Sequence, residues 1–150
     1  MKTIKGIYTI LLFGLICFLN LKAQAQPNLE EQRKRILDFK IGIIKERLHF
    51  TNATQEQNFF TYYIQYENAK IENKKIMAQI RKEKFNFTAS DAELLAAMEL
   101  LMSYQQKDLD IEKEYQKKFL EVISVRQLVE LYRTEQEIRK QLLQKLSENE

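Results

Sequence analysis

Cysteine, proline and histidine each occur once in the 150 residues, glycine three times and tryptophan not at all. One cysteine excludes an internal disulfide framework. With His49 as the sole imidazole, a zinc or soft-metal centre lacks its usual clustered ligands, and Met77, Met98 and Met102 stand at apolar-stripe spacing that reads as packing. The chain also lacks a glycine-rich phosphate loop, a G-x-S-x-G elbow and an H-E-x-x-H pair. His49 has no serine or threonine arranged beside it as a nucleophile. These absences argue against an enzyme, and no cofactor is expected.

What is present begins with an export address. Lys2 and Lys5 precede an apolar run from Ile7 to Leu19, and Ala23-Gln24-Ala25 supplies the small-x-small pattern of a signal-peptidase site. Cleavage is expected after Ala25, leaving residues 26–150 as a single domain in the periplasm. The run is too short for a comfortable membrane span, and Ile16 before Cys17 is too bulky for a lipidation site. Removing the leader takes away Lys2, Lys5 and Lys22, against 24 basic and 21 acidic residues in all, so the remaining charges balance. Without a basic surplus the mature chain has no electrostatic case for nucleic acid.

After the leader only Gly42 and Pro27 interrupt a chain rich in Glu, Lys, Gln, Leu and Ile, so the expected fold is all-α. Four helices can be separated. The first runs from Leu29 to Leu48 on the spacing of Leu37, Ile41, Ile44 and Leu48, and ends at His49-Phe50-Thr51-Asn52. Thr51 or Asn52 caps the second, with Asn52 and Gln55 at capping-box spacing, and it continues to about Lys84. Its stripe is Phe59, Tyr62, Tyr63, Tyr66, Ala69, Ile76 and Ile80. Thr88 or Ser90 opens the third, whose stripe is Leu94, Leu95, Met98, Leu101, Met102, Leu109, Tyr115 and Phe119 and whose end falls near Val122. Asp108, Asp110 and Glu112 read there as a solvated face. Ser124 caps the fourth, with Gln127 closing the box and Leu128, Leu131, Tyr132, Ile138, Leu142 and Leu146 turned inward. Two rods this long leave stripe uncovered within one small monomer, and a homodimer is the economical expectation.

Ile123-Ser124-Val125-Arg126-Gln127 resembles the LTXXQ motif of the Spy/CpxP family of exported helical proteins, particularly the Bacteroidetes forms labelled periplasmic or sigma-factor sensors. The likeness continues through Ile123 to Leu146 as that family's closing helix. Phe50-Thr51-Asn52-Ala53-Thr54-Gln55 is similar to a first copy with one extra residue, followed by the aromatic stretch Phe59 to Glu67, and Arg35 to Leu48 resembles the family's first helix. The resemblance implies an extended, bent helical hairpin in an antiparallel, cradle-like homodimer. It also implies ATP-independent holding of unfolded or envelope proteins, or alternatively a sensor acting on an inner-membrane kinase or anti-sigma factor. The residues expected to meet such partners are the bases Lys74, Lys75, Arg81 and Lys82 with Phe85 and Phe87 at the turn, where weak cationic and apolar sites lie together.

Overall fold

The computed structural model describes residues 28–86 and 88–148, less the Leu146 side chain. The leader and its cleavage site, Phe87, and the stripe position of Leu146 lie outside the described residues. Every regular element among them is a helix: α1 (Leu29–Leu48), α2 (Ala53–Lys84), α3 (Asp91–Leu120) and α4 (Val125–Ser147). The fold is all-α. No described helix is long and apolar enough to cross a membrane.

The chain divides into two compact units, Met1–Asp38 and Phe39–Glu150. In the first, the described residues belong to the opening turns of α1, where Arg33 reaches Glu30 at 2.8 Å and Arg35 reaches Glu31 at 2.6 Å along the helix surface. The second holds the core.

Each helix boundary has a local cause. At the end of α1, His49 takes a left-handed conformation, φ 46°, that stops the helix as a glycine commonly does. Asn52 then caps α2 by accepting the Gln55 amide at 2.9 Å. Past Phe85, the Asn86 side chain accepts the Thr88 amide at 3.0 Å and reverses the chain. Of the two expected caps for α3, Ser90 is the one used, and a full capping box with Glu93 forms there. The hydrogen bonds from Ser90 to its carboxylate hold the pKa of Glu93 below its ordinary value. α3 stops two residues earlier than the expected Val122, because the amides of Val122 and Ile123 both fold back onto the Phe119 carbonyl.

α2 and α3 run antiparallel, as shown by contacts between Phe59 and Phe119, Lys70 and Asp108, and Asn73 and Tyr104. The core lies at the end of this hairpin where the α1–α2 and α3–α4 turns meet. Ile44 and Leu48, Phe59 and Tyr63, Phe119 and Ile123, and Leu128, Leu131 and Ile138 are all buried there. Seven aromatic rings from Phe50 to Phe119 form a continuous cluster in it, with Phe59 5.3 Å from both Phe50 and Phe119.

The stripe expected for α3 is where the structure departs most from the sequence reading. Leu95, Met98, Met102 and Leu109 are 58%, 47%, 60% and 44% exposed, while Ala97, Ile111, Tyr115 and Phe119 are buried. The two methionines therefore do not pack in the core. In an antiparallel pair a helix has a long neighbour on one side only, so one arc of α3 is covered and apolar positions opposite it are left out. Tyr132 on α4 is likewise exposed rather than inward. Asp110 and Glu112 are exposed, as on a solvated face, whereas Asp108 is half-buried, and Asp108 and Glu112 both hold Lys70.

Candidate binding surface

The two motif segments prove to be one construction. At the α1–α2 turn the Gln55 side-chain oxygen accepts the Thr51 amide at 2.8 Å, one residue earlier than a standard box, which absorbs the extra residue in this copy. At the α3–α4 turn the Gln127 oxygen accepts the Ser124 amide at 3.0 Å, and Ser124 Oγ accepts the Gln127 amide at 3.2 Å. Each glutamine then uses its side-chain nitrogen on the opposite turn. Gln55 Nε2 donates to the Val122 carbonyl at 2.8 Å, and Gln127 Nε2 donates to the Leu48 carbonyl at 2.9 Å. The side chains thus satisfy carbonyls left over where α1 and α3 end, and tie the two turns together reciprocally. Ile123, the first residue of the second motif, is buried beside them.

Sequence reading found the local half of each cap and missed the crossed half, since a hydrogen bond spanning 67 or 79 residues leaves no local spacing to detect. Replacing Gln127 with alanine is expected to lower stability by about 1–2 kcal/mol, because it opens the cap and orphans the Leu48 carbonyl. Adding Gln55→Ala is expected to cost less than the sum of the single losses, since both side chains close the same pair of turns. Chemical denaturation of the three variants measures this.

Below the clasp lies a buried polar network that the sequence reading also missed. Lys40 of α1, 8% exposed, places its ammonium 2.8 Å from Glu67 of α2 and 3.1 Å from Glu135 of α4, and over the Tyr63 ring at 5.5 Å. The Tyr63 hydroxyl donates to Glu135. Burial, then the charges of Glu67 and Glu135, push the Tyr63 pKa up, and burial with Glu112 and Glu135 does the same for Tyr66. Both phenols therefore stay neutral, and Tyr63 is the one that donates to a carboxylate. Farther along α2, Lys70 reaches Asp108 at 2.6 Å and Glu112 at 2.7 Å. Burial opposes its charge, but the bonds to the two acids outweigh burial and hold its pKa above the ordinary value. These groups position α1, α2, α3 and α4. Among the described residues no group of three or more His, Cys, Asp and Glu side chains is arranged to hold a metal.

The expected partner-binding residues come together on the distal half of α2. Lys74 and Arg81 recur after seven residues, as do Lys75 and Lys82, and Phe85 follows at three and four residues, so all five share one side of the helix. All five are exposed, Phe85 at 40%, whereas Phe59, Tyr63, Asn73 and Ile80 face the hairpin. Lys75 meets Glu72 at a loose 3.7 Å, and Lys74, Arg81 and Lys82 make no ion pair among the described residues. At the tip a groove of about 400 Å³ opens between the end of α2 and the start of α3, lined by Glu83, Lys84, Asn86, Glu93, Ala97 and Leu100. Phe87 lies outside the described residues. Comparison with known proteins finds no matching family model, no matching curated protein and no matching solved structure.

Proposed function

We propose that this chain is a non-enzymatic, exported helical protein of the Spy/CpxP kind that holds unfolded or envelope proteins in the periplasm without ATP. The observation that carries the reading is the α2 face on which Lys74, Lys75, Arg81 and Lys82 stand exposed beside Phe85. A folded client would need matched shape. An unfolded one needs only weak apolar and cationic sites in reach of each other, and these are what the face offers. The pairing of Lys70 with Asp108 and Glu112, and the bond from Asn73 to the Tyr104 carbonyl, support the reading by holding α2 against α3 next to that face.

The test is aggregation of a chemically unfolded client in the absence of nucleotide. The chain is expected to suppress light scattering at an equimolar ratio. A variant carrying Lys74→Glu, Lys75→Glu, Arg81→Glu and Lys82→Glu is expected to lose most of that effect on an acidic client. Its helical circular dichroism should not change, because exposed substitutions of this kind cost within about 0.5 kcal/mol each. No suppression by the unaltered chain at tenfold excess, or equal suppression by the variant, would overturn the reading.

A further inference from the structure

Two thioethers of α3 stand across the open side of the hairpin from the bases of α2. The groove at the tip marks one side of the hairpin, with Glu83 of α2 and Ala96 of α3 in its lining. At about 100° per residue, Lys74 and Arg81 lie roughly half a turn round α2 from Glu83, and Met98 lies roughly half a turn round α3 from Ala96. Lys70 and Glu112, which pair from one helix to the other, are within about 40° of Lys74 and Met98 round their helices, so bases and thioether border the same side. The bond from Asn73 to the Tyr104 carbonyl fixes the register, and in an antiparallel pair it sets Met98 and Met102 between the levels of Lys74 and Arg81. Met98 and Met102 are 47% and 60% exposed. Met77 is half-buried, and its sulfur accepts the Asn73 side-chain amide at 3.8 Å. An oxidant therefore reaches the α3 pair first.

We propose that Met98 and Met102 form a reversible oxidation switch on the client-holding face, turned off by a peroxide. Each sulfur gives two electrons to the peroxide. The O–O bond of hydrogen peroxide breaks, one oxygen is bound to sulfur as a sulfoxide, and the other leaves as water. Unbranched thioethers suit loose contact with apolar segments of varied shape, and the sulfoxides that replace them are polar. Oxidation thus removes the apolar edge of the face while the bases of α2 keep their attraction for acidic segments. Reduction of the sulfoxides restores the edge. The inference rests on the client-holding reading, but the order in which the methionines oxidise does not.

The chain carrying Cys17→Ser is treated with hydrogen peroxide, and sulfoxide is located by peptide mass spectrometry. Met98 and Met102 are expected to oxidise ahead of Met77. Affinity for reduced, carboxymethylated α-lactalbumin, an acidic chain that stays unfolded, is expected to fall by about tenfold on oxidation and to return after treatment with methionine sulfoxide reductases for both epimers. Helical circular dichroism is expected to be the same before and after peroxide, since both side chains are exposed. Met98→Leu/Met102→Leu removes the sulfurs, and its affinity is expected not to change on oxidation. Met98→Gln/Met102→Gln puts a polar group at both positions and is expected to bind as weakly as the oxidised parent with no peroxide added. The switch would be overturned, with client holding left intact, by Met77 oxidising as fast as the α3 pair, by an oxidised chain that binds as tightly as the parent, by loss of helix on oxidation, or by a leucine variant that weakens as the parent does. A chain that holds no client before oxidation would overturn both.

Discussion

Replacing Lys40 with alanine is expected to destabilise the fold by about 3 kcal/mol. Lys40 is the only cation between Glu67 and Glu135 among the described residues, at 2.8 and 3.1 Å. Removing it leaves two carboxylates mostly withdrawn from water, with side chains 17% and 20% exposed, and the Tyr63 hydroxyl satisfies only one of them. The loss should come from the uncompensated charge more than from the missing methylenes. Lys40→Met, which keeps most of the stem, is therefore expected to be nearly as damaging, and adding Glu135→Gln should recover part of the loss. Urea unfolding of the three variants decides the point. A Lys40→Met variant as stable as the parent would show that the two acids are solvated and that the network does not hold α1 in place.

Phe59→Ala is expected to cost about 3–5 kcal/mol. The ring is fully buried and touches aromatic neighbours on both sides of the clasp: Phe50 at 5.3 Å, Phe60 at 5.2 Å, Tyr63 at 5.8 Å and Phe119 at 5.3 Å. Four rings around one void cannot all collapse into it, because Phe119 is held by the end of α3 and Tyr63 by its bond to Glu135. The neighbouring Phe60 is only half-buried, and Phe60→Ala is expected to cost less than half as much. Thermal unfolding followed by circular dichroism separates the two. Similar melting temperatures for both variants would mean that the aromatic cluster, rather than Phe59, bears the packing, and that the core is softer than its burial indicates.

Much of the fold was legible from the chain because its boundaries are set locally. α1 and α2 begin and end where the apolar spacing and the polar breaks put them, and Asn52 and Ser124 cap as their side chains allow. What was not legible depends on neighbours. The spacing of Leu95, Met98, Met102 and Leu109 specifies an apolar face but not what covers it, and the arc centred on Ala97, Ile111 and Tyr115 is the one that α2 occupies. Lys40 sits at apolar-stripe spacing between Leu37 and Ile41, and that misplaced charge was the signal for a buried pair. Its partners are 27 and 95 residues away, so no local pattern names them. The basic residues on α2 were legible as a group, since helical periodicity alone gathers Lys74, Lys75, Arg81 and Lys82 with Phe85.

The central claim is that this gathered face is where an unfolded polypeptide is held, and site-specific photocrosslinking tests it most directly. A benzophenone amino acid is placed in turn at Lys82 and at Gln136, an exposed position on α4, and the chain is irradiated with a radiolabelled unfolded client. Strong capture from position 82, weak capture from position 136, and loss of the first in high salt are the results the account predicts. Equal capture from both positions, or none from position 82, would contradict it.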